Sequence, residues 1–184
     1  PDAPVEIHYD IEDDPTQDFV YLHGIALIEK GKEPEYIAFF ADSFEEEKKI
    51  TLELFDFFRT YKDAPVYHYS PHEKTTIKRL ISKHNIDAQD VFDNLFAENG
   101  KAIDLYKIIN DKTDWPLTSY SLKDVCRYLG FEWDAEDAGG AASVVWVNDY
   151  LKGQKELKAK ILQYNKDDCL ATFHLKNKLI ELQK

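Results

Sequence analysis

Cysteine is nearly absent from this 184-residue chain, Cys126 and Cys169 being the only two. Two thiols so far apart build neither a disulfide scaffold nor a zinc ribbon, and the expected compartment is a reducing cytoplasm. No apolar run approaches the ~20 residues that a bilayer span requires, and the start, Pro1-Asp2-Ala3-Pro4, lacks the basic and then apolar regions of a secretory leader. Neither membrane insertion nor secretion is expected. Methionine is missing altogether, so with Pro1 at the front the chain is expected to be a piece cut from a longer multidomain protein. Positive charge is scarce: 23 Lys and Arg face 35 Asp and Glu, a net charge of -12. That balance argues against a broad basic face that grips nucleic acid through its phosphates. The exception is a site whose carboxylates hold divalent cations, because there the ion meets the phosphate. A glycine-rich loop that could cradle a nucleotide is also lacking, Gly139-Gly140 being too weak a pattern.

What is present suffices for one α/β domain, since 43% of residues are hydrophobic and can offset the entropy of ordering. Val5, Ile7, Tyr9 and Ile11 alternate with Glu6, His8, Asp10 and Glu12 at the period of a strand, which Asp13, Asp14 and Pro15 then break. Strands at 19–28 and 36–41 complete an antiparallel meander. Ser43 and Glu46 have the spacing of a capping box before a helix at 44–60, and 65–69 reads as a buried strand. Ser70-Pro71-His72-Glu73 repeats the box, with Ser70 as cap and Glu73 as its third residue, before a helix to His84. Helical pieces at 88–97, a last strand at 102–105 and a helix from Ser121 to Gly130 follow. A flexible loop is expected at 137–142, then a short helix at 144–151 and a long one whose stripe holds Leu157, Ile161, Tyr164, Asp168, Ala171, Leu175 and Leu179. The layout predicts a mixed five-stranded sheet flanked by helices, with two parallel strands beside the first strand.

Asp10 and Glu12 share one strand face, a placement that suits a Mg²⁺ or Mn²⁺ site. With 35 acids, chance supplies about six such pairs, so spacing alone does not separate this one from the solvated face of an edge strand. Tyr164 and Asp168 stack on one helix face, and an acid in an apolar stripe costs several kcal/mol of order unless it is paired or bound to metal. The bland alternative is that Asp167 and Asp168 are both solvated.

Together these residues resemble the RNase H-like exonucleases of the DEDD type in their tyrosine variant. The family's Asp-x-Glu on the first strand matches Asp10 and Glu12, its acid near the helix after the fourth strand matches Glu73, and its Tyr-x-x-x-Asp on the last helix matches Tyr164 and Asp168. The strings IHYDIEDDP, VYHYSPHEKTTIKRL, IDLYKII, SYSLKDVCRYLGF, ASVVW and YNKDDCLAT, in that order, are similar to the YprB-type ribonuclease H-like domain of RecB-like nucleases. One departure is plain: where the wider family has Asn-x-x-Phe-Asp, this chain has Tyr69-Ser-Pro-His-Glu73, and Glu73 also has a reading as a helix cap. Asp104 is the understudy acid, and Gln163, five before Asp168, departs from the histidine variant. The resemblance implies an RNase H-like fold and a 3′–5′ exonuclease that cuts DNA or RNA with two Mg²⁺ or Mn²⁺ ions. Asp10 would bridge both ions, Glu12 and Asp168 would each favour one, and Glu73 would act from a second layer or complete the site. Tyr164, with an ordinary pKa near 10, would position the attacking water.

Lys74, Lys78 and Arg79 could line a substrate channel, with Tyr67, Tyr69 or Trp146 as stacking surfaces, or could form a solvated helix face. His68 and His72 read as core or surface residues, because a hard cation prefers oxygen. An additional domain, a RecB-like nuclease or a helicase, is the expected partner that brings positive charge. The alternative from another class is a catalytically silent module that binds nucleic acid or scaffolds a neighbouring nuclease, and an internally cutting ribonuclease would use the same acids.

Overall fold

Five strands form one mixed sheet in the order β3-β2-β1-β4-β5, so the strand that carries Asp10 and Glu12 is central and not an edge. The computed structural model describes residues 3–134 and 140–182. Strands β1 (Val5–Asp14), β2 (Phe19–Glu29) and β3 (Glu35–Phe40) make the antiparallel meander. The short strands β4 (Val66–His68) and β5 (Ala102–Asp104) add in parallel on the other side of β1. Helices α1 (Glu47–Thr60), α2 (His72–His84) and α3 (Gln89–Phe96) bury Leu54, Phe55, Phe58, Ile77, Leu80, Val91 and Leu95 against Ile7, Tyr9 and Ile11. The remaining helices are α4 (Leu105–Lys112), α5 (Leu122–Tyr128), α6 (Gly140–Leu151) and α7 (Leu157–Glu181). Among the described residues no helix is long and apolar enough to cross a membrane.

The second face of β1 is polar and yet buried, with Glu6, His8 and Glu12 all under 8% exposed. Helix α7 covers it in the opposite direction. Lys176 Nζ donates to Glu6 Oε2 at 2.9 Å, Thr172 Oγ1 meets His8 Nδ1 at 3.1 Å, and Asp168 comes over Asp10 and Glu12. The fit is metrical. Four helical residues rise about 6.0 Å and two strand residues about 6.6 Å, so each helical turn meets the next same-face strand residue over several rungs.

The structure corrects several expectations. Strand β1 continues through Asp13 and Asp14 because a bulge after Glu12 re-registers it, and Asp14 is held by Thr16, Gln17 and Asn148. Both capping boxes fail. Glu46 accepts from Asp42 N at 2.9 Å and Ser43 makes no side-chain cap. Ser70, at a positive φ of 96°, accepts from His72 N through its Oγ at 3.2 Å, but its own N–H donates to Asp104 Oδ1 and not to Glu73, so the box does not close, Pro71 is the helix cap and Glu73 turns to His68. Leu105 belongs to α4 and not to a strand, because Asp104 caps that helix by accepting from Tyr106 N and Lys107 N. Of the loop expected at 137–142, residues 137–139 lie outside the described residues, while 140–142 open α6, where two alanines favour the helix.

Candidate metal centre

Strand β1 contributes Asp10 and Glu12, and α7 contributes Tyr164, Asn165 and Asp168. One carboxylate oxygen from each of Asp10, Glu12 and Asp168 lies within 4.8 Å of the others. They line a recess of about 380 Å³ together with Ile11, Pro15, Val144 and Tyr164. A second recess on the other side of Asp10, Tyr164 and Asp168 is walled by Tyr69, Leu122 and Lys123. Asp10 and Asp168 therefore border both hollows, and Glu12 borders the first.

Such a cluster resists ionisation. Burial, then repulsion from Asp168, pushes Glu12 up to about 8, although Ser143 and Asn165 donate hydrogen bonds that act the other way. Asp168 is pushed up to about 6 by burial, against the donors Trp133 and Tyr164 and the charge of Lys123. Asp10 is held well above the carboxylate range by burial, then by Asp168, Glu12 and Glu73. At neutral pH the group without a cation keeps protons, which a cation would displace. Its ligand atoms are all carboxylate oxygens, the donors that Mg²⁺, Mn²⁺ and Ca²⁺ prefer.

Each acid has a holder that the sequence reading missed. Asn165 Nδ2 donates to Asp10 Oδ2 at 2.8 Å. Ser143, fully buried, bonds Tyr21 at 2.7 Å as well as Glu12. Trp133 Nε1 donates to Asp168 Oδ1 at 2.7 Å. Lys123 Nζ stands 4.6 Å from the centre of the Tyr164 ring. Asn165 could have been found as the polar residue three before Asp168, on the same helical face. Trp133, Ser143 and Lys123 come from elements that carry no spacing signal toward the acids.

The other expected residues are placed less uniformly. Glu73 is buried but outside the triad; its Oε2 is 3.2 Å from His68 Nδ1, while its charge still reaches Asp10. Tyr69 walls the second recess, its hydroxyl donating to Tyr120 O. Lys74 and Lys78 are exposed on α2, where Lys74 lies over the Phe96 ring at 5.7 Å, and Arg79 pairs with Asp13 and Asp18. The lysine that shares a recess with Asp10 and Asp168, and whose charge acts on Asp168, is Lys123 of α5. Tyr67 is stacked on buried His8, and Trp146 meets the Tyr164 ring edge-on at 6.0 Å. Asp167 is buried and bonded by Gln163, not solvated.

A meander followed by two parallel strands, flanked by helices, defines an RNase H-like fold, on which three acids converge from the central strand and the last helix. A family model described as the RNase H superfamily matches residues 7–180, and the chain belongs to that superfamily. None of the curated proteins compared with the chain matches it.

Proposed function

We propose that this domain hydrolyses phosphodiester bonds of DNA or RNA with two Mg²⁺ or Mn²⁺ ions, from the 3′ end, as a tyrosine-variant DEDD nuclease of the YprB type. The observation that carries the reading is the convergence of Asp10, Glu12 and Asp168 on one open recess. A silent scaffold would have no need to keep three mutually repelling acids together and accessible. Bound cations would supply positive charge for the scissile phosphate and acidify the attacking water.

The chain's own residues do the rest. Asp10, Glu12 and Asp168 would hold the ions, Asp10 and Asp168 lining both recesses and Glu12 the first. Glu73, turned toward His68, acts from behind Asp10 and not as a direct ligand. Tyr164 has its hydroxyl pKa driven above the ordinary value by burial and by the carboxylates, so it keeps its proton. It bonds Asp168 and orients water without deprotonating it. The hollow beside Tyr69, Leu122 and Lys123 receives the end of the strand, with the lysine toward phosphate and the tyrosine toward a base. With a net charge of -12, tight binding falls to a neighbouring RecB-like or helicase domain in a longer cytoplasmic protein.

The test is a pair of variants assayed on 3′- and 5′-labelled linear strands and on a closed circle with Mn²⁺. Asp10→Ala should lose both Mn²⁺ binding and cleavage. Tyr164→Phe should keep Mn²⁺ binding and lose cleavage by about 10²-fold, the scale of a misplaced reactant. Cleavage of the circle at the linear rate would refute the exonuclease assignment, and equal loss of Mn²⁺ in both variants would refute the division of roles.

A further inference from the structure

Directly across the β1–β2 ladder from Asp10 stands Gly24, the only residue in the 20–28 stretch of β2 without a side chain. Cross-strand partners point to the same face of a sheet, so a side chain at 24 would rise beside Asp10 toward α7. The space is already filled. A Cβ built on Gly24 would lie 1.5 Å from Oδ1 of Asn165 and 2.6 Å from its Cγ. Asn165 is fully buried, and its amide is fixed at both ends: Nδ2 donates to Asp10 Oδ2 at 2.8 Å, and Oδ1 accepts from the Tyr36 hydroxyl at 2.8 Å. Four elements thus meet on one amide: β1 through Asp10, β2 through the missing side chain, β3 through Tyr36 and α7 through Asn165.

The polarity of this chain follows from donor chemistry. In the ionised form that binds a cation, the Asp10 carboxylate only accepts, so there the NH₂ side of the amide must face Asp10 and the carbonyl side must face Tyr36, whose hydroxyl can donate. Without Tyr36 the far side keeps only the weak thiol donor of Cys169, whose Sγ lies 3.8 Å from the same oxygen, and the amide can more readily turn that oxygen toward the acid. Without the Gly24 vacancy the amide cannot enter at all.

We infer that Asn165 is a positioning residue for Asp10, oriented by Tyr36 and admitted by Gly24, and that this relay sets the affinity of the acidic centre for a divalent cation. The inference rests on the proposed metal function. Partners that orient a metal ligand typically contribute 10- to 100-fold in affinity.

Mn²⁺ titration of the full chain, by calorimetry and by the loss of the free-ion paramagnetic resonance signal, tests it with urea unfolding of each variant alongside. Asn165→Ala should weaken Mn²⁺ binding by roughly 10- to 100-fold. Tyr36→Phe, which removes one hydroxyl and should fold even where other variants do not, should weaken it by about 2- to 10-fold, the worth of one neutral hydrogen bond. Gly24→Ala should weaken binding when Asn165 is present and add nothing in an Asn165→Ala background, where the new methyl has room. A merely structural role would give additive losses of stability with unchanged Mn²⁺ affinity, and that result overturns the inference while leaving the metal function intact. Failure of the unmodified chain to bind Mn²⁺ overturns both.

Discussion

Replacing Glu12 by Gln should make the cation-free protein more stable, although Glu12 is buried and hydrogen-bonded. The glutamate pKa rises from 4.5 to about 8 in the folded chain, through burial and the nearby Asp168. A folded-state pKa raised above the unfolded one means that folding takes up a proton between those two values. The carboxyl's contribution is intact below pH 4.5, is lost progressively as pH climbs, and reaches its floor above about pH 8. At roughly 1.4 kcal/mol per unit, Glu12 alone gives an upper bound of about 5 kcal/mol. Part of that repulsion belongs jointly to Asp10 and Asp168 and persists after the substitution, so a gain of about 1–3 kcal/mol is expected. For a domain of this size that corresponds to roughly 2–10 °C in melting temperature. Glutamine keeps an acceptor for Ser143 and offers its own N–H groups to the two remaining acids. Thermal melts in chelator at pH 8.5 and pH 4.5 provide the assay, with the gain present at the first and shrinking toward zero at the second. Saturating Mn²⁺ should reverse the order by stabilising only the parent. A variant that melts below the parent in chelator at pH 8.5, or a gap that ignores pH, would refute the electrostatic account.

Two further outcomes follow from named contacts. Trp133→Phe removes the indole donor that restrains Asp168, whose pKa is already about 6; that pKa should rise, and the pH midpoint of Mn²⁺ binding should move upward in titrations across pH 5–8. Glu47 is buried and holds Val20 N, Lys83 and His84. Glu47→Ala should therefore cost about 3–5 kcal/mol, the scale of breaking a buried ion pair, measured by urea unfolding with Mn²⁺ affinity preserved in the folded fraction.

The sheet was legible because its strands repeat every two residues and its helices every three to four, and those periods survive in β1, β2 and α7. Helix α4 was not, since Asp104 ends a strand and caps a helix at once, and a linear pattern shows only the first role. The two capping boxes failed for a related reason: side-chain spacing marks where a cap can form, but Glu46 accepts from Asp42 N and the N–H of Ser70 is taken by Asp104, 34 residues away. Of the centre, periodicity put Asp10 with Glu12 and Tyr164 with Asp168 on shared faces, the family resemblance joined the two pairs, and Tyr69 lies beside them. Lys74 and Lys78 were drawn toward the site by sequence proximity to Glu73, but α2 turns them outward. Trp133, Ser143 and Lys123 act through tertiary proximity alone, which no local spacing encodes.

The ladder between α7 and β1 shows why the acids are more than surplus charge. At the first rung a lysine meets a glutamate, Lys176 on Glu6, and at the second a hydroxyl meets an imidazole, Thr172 on His8. Both rungs are complementary and buried, so the same helix and strand are able to satisfy each other. One turn further on, Asp168 meets Asp10 and Glu12, like charge on like charge, at the rung that opens onto two hollows. Sequences that specify a fold agree across levels and break that agreement where function demands it. A protein that pairs charge and hydrogen bonds on two rungs and sets three acids together on the third has placed there a deficit of positive charge of the kind that a divalent cation would fill.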